Sequence, residues 1–245
     1  TAIEVQPPAG LAALSAAGFM GVVHLAASRP VAVHAVVDMA NNPRSVYDVE
    51  GSPVASASAT LYVPVVRRRD SRLRAANTAF VVANTSSSPA RVTVTYHGTS
   101  GTCAGQTHVH DPVTIAPRAN HVFYQGADRY LADKNHLPEG CLASAVARAE
   151  GGTIVGVVVD VTEEPGGAAA YAAIGDADVD TVVAVPLVRS CHPTPHRVVN
   201  SVTLMNTGAK TTYVSPSGYD LLGNEMLGCG AACGTPIEPL AIATF

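Results

Sequence analysis

Two stretches of the chain, Val31-Ala-Val-His-Ala-Val-Val-Asp38 and Ile154-Val-Gly-Val-Val-Val-Asp160, resemble each other. Aligning their terminal aspartates, Asp38 and Asp160, gives an offset of 122 residues. The same offset brings further anchors into register, namely Pro64 with Pro186, Asn84-Thr85 with Asn206-Thr207, Ile115-Ala-Pro117 with Ile237-Glu-Pro239, and Phe123 with Phe245. A single shift that matches anchors across the chain, without net insertion or deletion, indicates an internal repeat.

The residues within one repeat length have a strand-and-turn pattern. Val92, Val94 and Tyr96 alternate with Thr93 and Thr95, which predicts a strand with one buried and one solvated face. Turn residues such as Glu164-Pro-Gly-Gly167 separate the apolar runs. The predicted strands are 79–83, 91–96, 113–115, 121–124, 142–148, 154–161, 168–173 and 182–188. This pattern predicts an all-β fold with two antiparallel immunoglobulin-like β-sandwich modules and a 122-residue internal repeat in permuted phase.

The permuted phase follows from the domain boundaries that the sequence suggests. The Arg-rich segment 67–71 is interpreted as a linker, and its counterpart is the linker 189–195. The resulting modules are a back half at residues 1–66, a complete module at residues 72–188 and a front half at residues 196–245. Thr1 and Phe245 then form an assembly joint, because the C-terminus stops in the repeat where the N-terminus begins.

Composition restricts the class of protein. A hydrophobic content of 47% and a mean hydropathy of +0.22 exclude a disordered chain. Fifteen basic against 19 acidic residues argue against nucleic acid as a partner, and no membrane span is expected. The chain starts at Thr1 without an initiator methionine and has five cysteines. We therefore expect a secreted protein in an oxidising extracellular or cell-surface setting.

A family resemblance is carried by short motifs of strands and turns. These are Asn-Thr at 84–85, Ala-Arg-Val-Thr-Val-Thr-Tyr at 90–96, Thr-Ile-Ala-Pro at 114–117, Leu-Pro-Glu-Gly at 137–140, Val-Gly-Val-Val-Val-Asp at 155–160 and Val-Pro-Leu-Val at 185–188. Their order resembles the tandem β-sandwich repeats of long bacterial secreted and cell-surface proteins. The resemblance implies an extracellular structural or adhesive role and identifies no ligand.

Half-modules at the two ends would leave apolar strand faces and unpaired strand edges in water. If each half exposed about 1,000 Å² of apolar surface, the cost would be roughly 25 kcal/mol, which exceeds the stability of a typical domain. The front half can complete the back half of a neighbouring copy, which builds a head-to-tail homopolymer. It can instead close on the back half of the same chain, or the sequence can be an excerpt of a longer repeat array.

The cysteines predict at least one disulfide. Cys103 and Cys141 lie in the same module, and a bond between them would contribute about 3 to 4 kcal/mol. The other three predict a bond from Cys191 to Cys229 or Cys233, with the remaining thiol free or linked to another molecule. The spacing Cys229-x3-Cys233 lacks a second pair of ligands for zinc.

Three further groups of residues are candidate sites. His108 and His110 are predicted to lie on the same face of a strand and could chelate a metal with His97 or Asp111, or be two solvated loop histidines. The five arginines between 67 and 74 could bind an anionic polysaccharide, or form a solvated linker. Asn84-Thr-Ser86 is a formal glycosylation sequon on a predicted turn.

The sequence contains no Gly-x-Ser-x-Gly elbow, no His-Glu-x-x-His motif, no phosphate loop and no dinucleotide-binding glycine pattern. We therefore expect a non-enzymatic structural subunit of an extracellular filament, with no cofactor and with copies of itself as the partner. The first alternative is a monomeric adhesion or carbohydrate-binding module that meets a surface glycan. The second is an extracellular metal-binding protein that uses His108 and His110.

Overall fold

The structure is a computed structural model that describes residues 28, 34–38, 46–50, 54–69, 75–126, 137–162, 168–182, 202–215, 217–219, 225–227 and 234–244. Within these ranges the chain is all-β, with two short 3-10 turns at Val54–Ser56 and Asp176–Asp178. The strands in chain order are β1 (His34–Asp38), β2 (Val46–Glu50), β3 (Thr60–Arg68), β4 (Asn77–Asn84), β5 (Ala90–Gly101), β6 (Thr107–Val109), β7 (Val113–Ile115), β8 (Asn120–Tyr124), β9 (Cys141–Glu150), β10 (Ile154–Val161), β11 (Ala168–Ala172), β12 (Ile174–Gly175), β13 (Thr203–Met205), β14 (Thr212–Val214), β15 (Gly218–Tyr219), β16 (Glu225–Leu227), β17 (Thr235–Ile237) and β18 (Ile242–Thr244).

Two antiparallel sheets form a β-sandwich from residues 60–175. The first sheet has the strand order β11-β10-β4-β8, and the second has the order β12-β3-β9-β5-β6 with β7 also paired to β5. Their facing side chains form one hydrophobic core, which includes Phe80, Val82, Phe123, Leu61, Val63, Val94 and Tyr96. Each such side chain that leaves water contributes roughly 1.5 to 3 kcal/mol, so this core is the main source of stability.

Strand β5 confirms the alternation that the sequence predicts. Val92, Val94 and Tyr96 are buried at 0–1% exposure, whereas Thr93 and Thr95 between them are half-buried. The alternation follows because successive side chains of a strand point to opposite faces of the sheet. Burial of every second residue fixes the register of β5, since a slip by one residue would turn the valines outward.

Strand β9 lies at the centre of the second sheet, between β3 and β5. Its core side is lined by small residues, Ala143, Ala145 and Ala147, all at 0% exposure. Ser144 and Val146, which point to the other face, are buried as well. The middle of β9 is therefore covered on both faces, and other parts of the chain pack on the outside of this sheet.

Strand β3 crosses the predicted domain boundary. It pairs along its length with β9 and at its start with β12, so residues 60–66 belong to the complete sandwich and not to a separate back half. Arg67 and Arg68 are the last residues of this strand, whereas the sequence places them in a linker. The reason is physical: Pro64 lies at a register shift between Val63 and Val66, and the strand continues beyond it to pair Arg67 with Leu142.

The other predicted strands agree with the structure to differing degrees. The bounds 113–115 and 154–161 are as predicted, and β4, β5, β8 and β9 are longer than predicted. Strand β6 includes His108 but ends before His110, β11 is one residue shorter than predicted, and β12 is an additional element. The predicted strand 182–188 lies outside the described residues except for Val182, which is exposed.

The remaining described strands form four two-stranded antiparallel sheets, β1-β2, β13-β18, β14-β17 and β15-β16. Strand β2 lies against β11, and β13 lies against β3. No helix in the described ranges is long and apolar enough to cross a membrane.

Candidate functional site

Asn84 ties three segments of the sandwich together. Its side-chain nitrogen donates to the carbonyls of Ser88 at 2.7 Å, Ile115 at 3.1 Å and Ala116 at 3.2 Å. Its Oδ1 accepts from the backbone N–H of Ser86 at 2.9 Å. The residue is fully buried. The turn after β4 is thereby bonded to the end of β7, and the amide of the formal sequon is occupied by backbone partners in the folded chain.

Asn206 makes three of the corresponding bonds 122 residues further along the chain. Its nitrogen donates to Lys210 and Ile237, both at 2.8 Å, and its Oδ1 accepts from Gly208 N–H at 2.9 Å. Each partner is the residue 122 positions after Ser88, Ile115 or Ser86. A buried amide that satisfies the same backbone groups in two places indicates the same local chain path in both.

The strand registers around these two asparagines also match. Strand β4 pairs Val81 with Val122, and β13 pairs Thr203 with Thr244. Strand β5 pairs Ala90 with Ile115 of β7, and β14 pairs Thr212 with Ile237 of β17. Thr203 and Thr244 lie 122 positions after Val81 and Val122, and Thr212 and Ile237 lie 122 positions after Ala90 and Ile115.

The turn from β7 to β8 and the turn from β17 to β18 share an unusual backbone conformation. Arg118 has φ of 58° and Leu240 has φ of 60°, which are left-handed values for residues other than glycine. Ala119 and Ala241, the next residues, each donate a backbone hydrogen bond three residues back. Among the described residues, Asn206, Leu240 and Ala241 thus show the same backbone features as Asn84, Arg118 and Ala119.

The hairpin β1-β2 has its counterpart in β10-β11. Strand β2 corresponds to β11 residue for residue at the 122 offset, and β1 corresponds to residues 156–160 of β10. The register differs by one residue, since Asp38 pairs with Val46 whereas Asp160 pairs with Ala169. The described strands of residues 34–50 and 202–244 therefore correspond to different parts of the complete sandwich.

The segment 202–244 also contacts the complete sandwich. The Ser144 hydroxyl of β9 donates to the carbonyl of Leu240. Ser144 is fully buried on the outward face of its sheet. Leu240 belongs to the left-handed turn before β18, so this turn covers part of the outer face of β9.

The structure joins Cys103 and Cys141, the pair that the sequence predicts, with a Cα–Cα distance of 5.3 Å. Both residues are fully buried. The bond ties the loop after β5 to the first residue of β9. A side chain on Gly98 would collide with the backbone of this loop, because its Cβ would lie 1.8 Å from the Cys103 oxygen. The predicted partners Cys191, Cys229 and Cys233, and the joint residues Thr1 and Phe245, lie outside the described residues.

The candidate metal ligands have different environments. His110 is buried at 4% exposure, donates from Nδ1 to the Asp111 carbonyl at 2.6 Å, and packs edge-on against Phe123. His108 lies on edge strand β6 opposite Tyr96, and its Nε2 is buried without a hydrogen-bond partner among the described residues. Among all the residues that the structure describes, no three His, Cys, Asp or Glu side chains lie close enough together to hold a metal ion.

Burial lowers the pKa of His97, a half-buried residue of β5. A lowered pKa means that the unfolded chain binds a proton more readily than the folded chain, so stability is lost as pH falls through about 6.5. Replacing His97 with glutamine is expected to reduce the loss of unfolding free energy between about pH 7.5 and pH 5.5. Urea unfolding of both proteins at the two pH values measures this difference. Equal losses would contradict it.

The Arg-rich segment begins with residues that have structural partners. Arg67 forms an ion pair with Asp160 of β10, and Asp160 also accepts from the Thr78 hydroxyl. The backbone N–H of Arg67 donates to the same hydroxyl at 2.8 Å. Arg69 and Glu139 form an exposed ion pair at 3.3 Å, and Arg72 and Arg74 lie outside the described residues. Arg67 therefore connects β3 with the opposite sheet.

Tyr171 of β11 bonds to the backbone of β3 at the register shift between Val63 and Val66. Its hydroxyl donates to the Val65 carbonyl at 2.9 Å and accepts from the Val65 N–H at 3.2 Å. Burial and the nearby Asp160 carboxylate raise the pKa of Tyr171, so the hydroxyl stays protonated. No sequence motif marks Tyr171, because a tyrosine in an alanine-rich strand has no local pattern of its own.

Replacing Tyr171 with phenylalanine is expected to lower the free energy of unfolding by about 2 kcal/mol, because both backbone groups of Val65 lose their partner. Urea unfolding followed by circular dichroism measures the change. Tyr62→Phe is the matched control: the Tyr62 hydroxyl bonds to Asp176 in a more exposed setting, so its loss should cost under about 1 kcal/mol. Equal effects of the two substitutions would contradict the role of Tyr171.

Comparison with known proteins finds no matching family model and no matching curated protein. A solved structure described as the crystal structure of Thermotoga maritima 1070 is similar to part of the chain. The alignment covers 50% of this chain and 98% of that one, with a TM-score of 0.37 and 15% sequence identity. This degree of similarity assigns neither a fold family nor a function.

Proposed function

We propose that this protein is a non-enzymatic structural subunit of an extracellular filament. In the filament, residues 34–50 of one chain and residues 202–244 of a neighbour complete an immunoglobulin-like β-sandwich module that repeats the complete sandwich at an offset of 122 residues. The chain would belong with the tandem β-sandwich repeats of bacterial surface proteins, whose motif order it resembles.

The observation that carries the proposal is the repetition of hydrogen bonds around Asn84 and Asn206. The bonds to residues 88 and 115 recur at residues 210 and 237, and the strand pairs around them recur at the same offset. A backbone that repeats part of a sandwich so closely supports a second module. Residues 34–50 supply strands that correspond to the part that residues 202–244 lack.

Strand edges supply the driving force for assembly. An unpaired edge presents a row of N–H and C=O groups that another strand can bond. Each sheet of the incomplete module also needs a second layer to cover its apolar face. Complementary strands from a neighbouring copy satisfy both needs, and the contact repeats from chain to chain because the two surfaces differ.

A second candidate is a monomer in which the two parts close on each other, with a role as an adhesion or carbohydrate-binding module. The observation that favours it is that β2 lies against β11 and β13 lies against β3. The Tyr171–Val65 bonds join β11 and β3, so both parts contact neighbouring strands of one sandwich. The two candidates differ in oligomeric state.

Sedimentation velocity over a hundredfold range of protein concentration, with negative-stain imaging of the same samples, separates the two candidates. The filament proposal predicts rods of uniform width that lengthen with concentration. A single monomeric species at every concentration would overturn it and favour closure within one chain. Glycan binding by that monomer would then support the adhesion role.

Asn206 provides a specific test of assembly. Asn206→Ala removes bonds to the backbone of Lys210 and Ile237, at a cost of about 2 to 3 kcal/mol in the incomplete module. We expect the critical concentration for assembly to rise by about 30- to 160-fold, as that free energy implies. Thr211→Ala removes an exposed hydrogen bond to Glu238 in the same segment and should change the critical concentration by less than about threefold. Unchanged assembly of the Asn206 variant would contradict the role of this segment.

A further inference from the structure

The first sheet of the sandwich shows how a complete module joins its parts. Strand β10 lies between β11 and β4, and β4 lies between β10 and β8. The central pairing sets Val157 opposite Val81 and Gly156 opposite Val82. In chain order, β4 and β8 precede β10 and β11, so this central pairing joins an earlier part of the module to a later one.

The strands at the 122 offset correspond to the two outer pairs of this sheet, β10-β11 and β4-β8. Strand β1 pairs antiparallel with β2, as β10 does with β11, although the register differs by one residue. Strand β13 pairs with β18 in the same register as β4 with β8. Among the described strands, β1-β2 and β13-β18 are separate two-stranded sheets. In the complete sandwich, β10 and β4 pair along their facing edges. Strand β1 corresponds to β10, and β13 corresponds to β4. The equivalent edges of β1 and β13 are thus complementary.

We propose that β1 of one chain pairs antiparallel with β13 of a neighbouring copy. Ala35 lies opposite Thr203 and His34 opposite Leu204, at the positions that correspond to Val157 with Val81 and Gly156 with Val82. The product is a continuous four-stranded sheet of order β2-β1-β13-β18. This pairing rests on the proposed function, because it requires two chains to share one module.

The composition of the two strands suits such a pairing. Strand β1 reads His-Ala-Val-Val-Asp and β13 reads Thr-Leu-Met, with neither lysine nor proline in either strand. Lysine and proline are the residues by which natural edge strands commonly block association. Thr203 meets Thr244 of β18 through their hydroxyls at 3.1 Å, which holds β13 in register with its existing partner. The other edge of β13 is therefore presented in a defined register.

Disulfide trapping tests both the register and the identity of the partner. Directly opposed residues of antiparallel strands have Cα atoms about 4.5 to 5.5 Å apart. A disulfide spans Cα distances of about 4.4 to 6.8 Å, so opposed positions can be linked. The full-length double variant A35C/T203C is prepared in ordinary and in uniformly ¹⁵N-labelled form. The two forms are dissociated under reducing conditions, mixed, assembled and oxidised, and the linked peptides are identified by mass spectrometry.

The proposal predicts that peptides joined through positions 35 and 203 are abundant and that half of them combine a labelled with an unlabelled partner. The control V36C/T203C moves the cysteine in β1 from position 35 to position 36. The two cysteine side chains then lie on opposite faces of the sheet, so this variant should give less than about a tenth of that yield. Equal yields from the two variants would overturn the register.

Two other results would overturn the pairing, and they differ in what they say about the proposed function. If the linked peptides never mix isotopes and the protein stays monomeric, the partner is in the same chain and the filament proposal fails too. If rods form but positions 35 and 203 do not link, this pairing fails and the filament proposal stands. Survival of the Cys103–Cys141 peptide pair checks that the variants fold. If A35C/T203C does not fold, H34C/L204C replaces it, because His34 and Leu204 are the next opposed pair in the proposed register and the same results are expected.

Discussion

Replacing Asn84 with alanine is expected to lower the free energy of unfolding of the complete sandwich by about 3 to 4 kcal/mol. The substitution removes the donor that serves the carbonyls of Ser88, Ile115 and Ala116, and the acceptor for the Ser86 N–H. Because Asn84 is fully buried, water cannot replace these bonds without opening the turn. Urea unfolding followed by far-ultraviolet circular dichroism measures the change.

The neighbouring residue supplies the control for Asn84. The Thr85 hydroxyl bonds to the Thr153 carbonyl at 3.0 Å in an exposed position, so Thr85→Ala should cost under about 1 kcal/mol. Asn84→Asp keeps the acceptor for Ser86 but loses the donor and buries a charge beside carbonyl oxygens. We expect this variant to be at least as unstable as the alanine variant. A loss of less than about 1 kcal/mol for Asn84→Ala would contradict the role assigned to this amide.

Removal of the Cys103–Cys141 disulfide is expected to have an effect of similar size. A bond between residues separated by 38 positions restricts the unfolded chain enough to contribute about 4 kcal/mol. The variant C103A/C141A avoids burying new polar atoms at these two fully buried positions. We expect its unfolding midpoint in urea to fall well below that of the oxidised protein.

Reduction of the native protein provides the matched comparison for this bond. A reducing agent should lower the unfolding midpoint of the native chain and should have a much smaller effect on C103A/C141A. A response of the double variant as large as that of the native chain would assign the stabilisation to the other cysteines. No response in either protein would contradict the contribution of the Cys103–Cys141 bond.

The parts of the fold that the sequence predicts well have a strong local signal. The alternation of valine and threonine in 92–96 identifies β5 and its buried face, and the bounds of β7 and β10 are as predicted. The disulfide partners are predicted because both cysteines lie in one module. The strands depend on residues that are close in sequence. The disulfide could be predicted because the module contains few cysteines that could pair.

The parts that the sequence predicts poorly depend on contacts between distant residues. Arg67 and Arg68 resemble linker residues, but pairing with β9 and the Asp160 carboxylate make them strand residues. Tyr171 bonds to Val65, 106 residues earlier, and no local pattern marks either residue. Asn84 has the pattern of a sequon, and only the carbonyls brought to it by β7 identify it as a buried structural amide.

The strands that the assembly proposal pairs, β1 and β13, depend on both local patterns and distant contacts. The 122-residue offset is visible in the sequence, and the bonds of Asn206 and the registers of β13 and β14 support the same offset in atomic detail. The identity of the chain that completes the module is not a local property, because the same strand edges can bond within one molecule or between two. Oligomeric state therefore has to be measured.

A helical reconstruction of the assembled protein by electron cryo-microscopy would show which chain supplies each strand of the second module. Assembly between neighbouring chains predicts a four-stranded sheet β2-β1-β13-β18 in which continuous density connects β1-β2 and β13-β18 to the complete sandwiches of different chains. A reconstruction in which both pairs belong to the same chain, or one in which β1 and β13 lie in separate sheets, would contradict it.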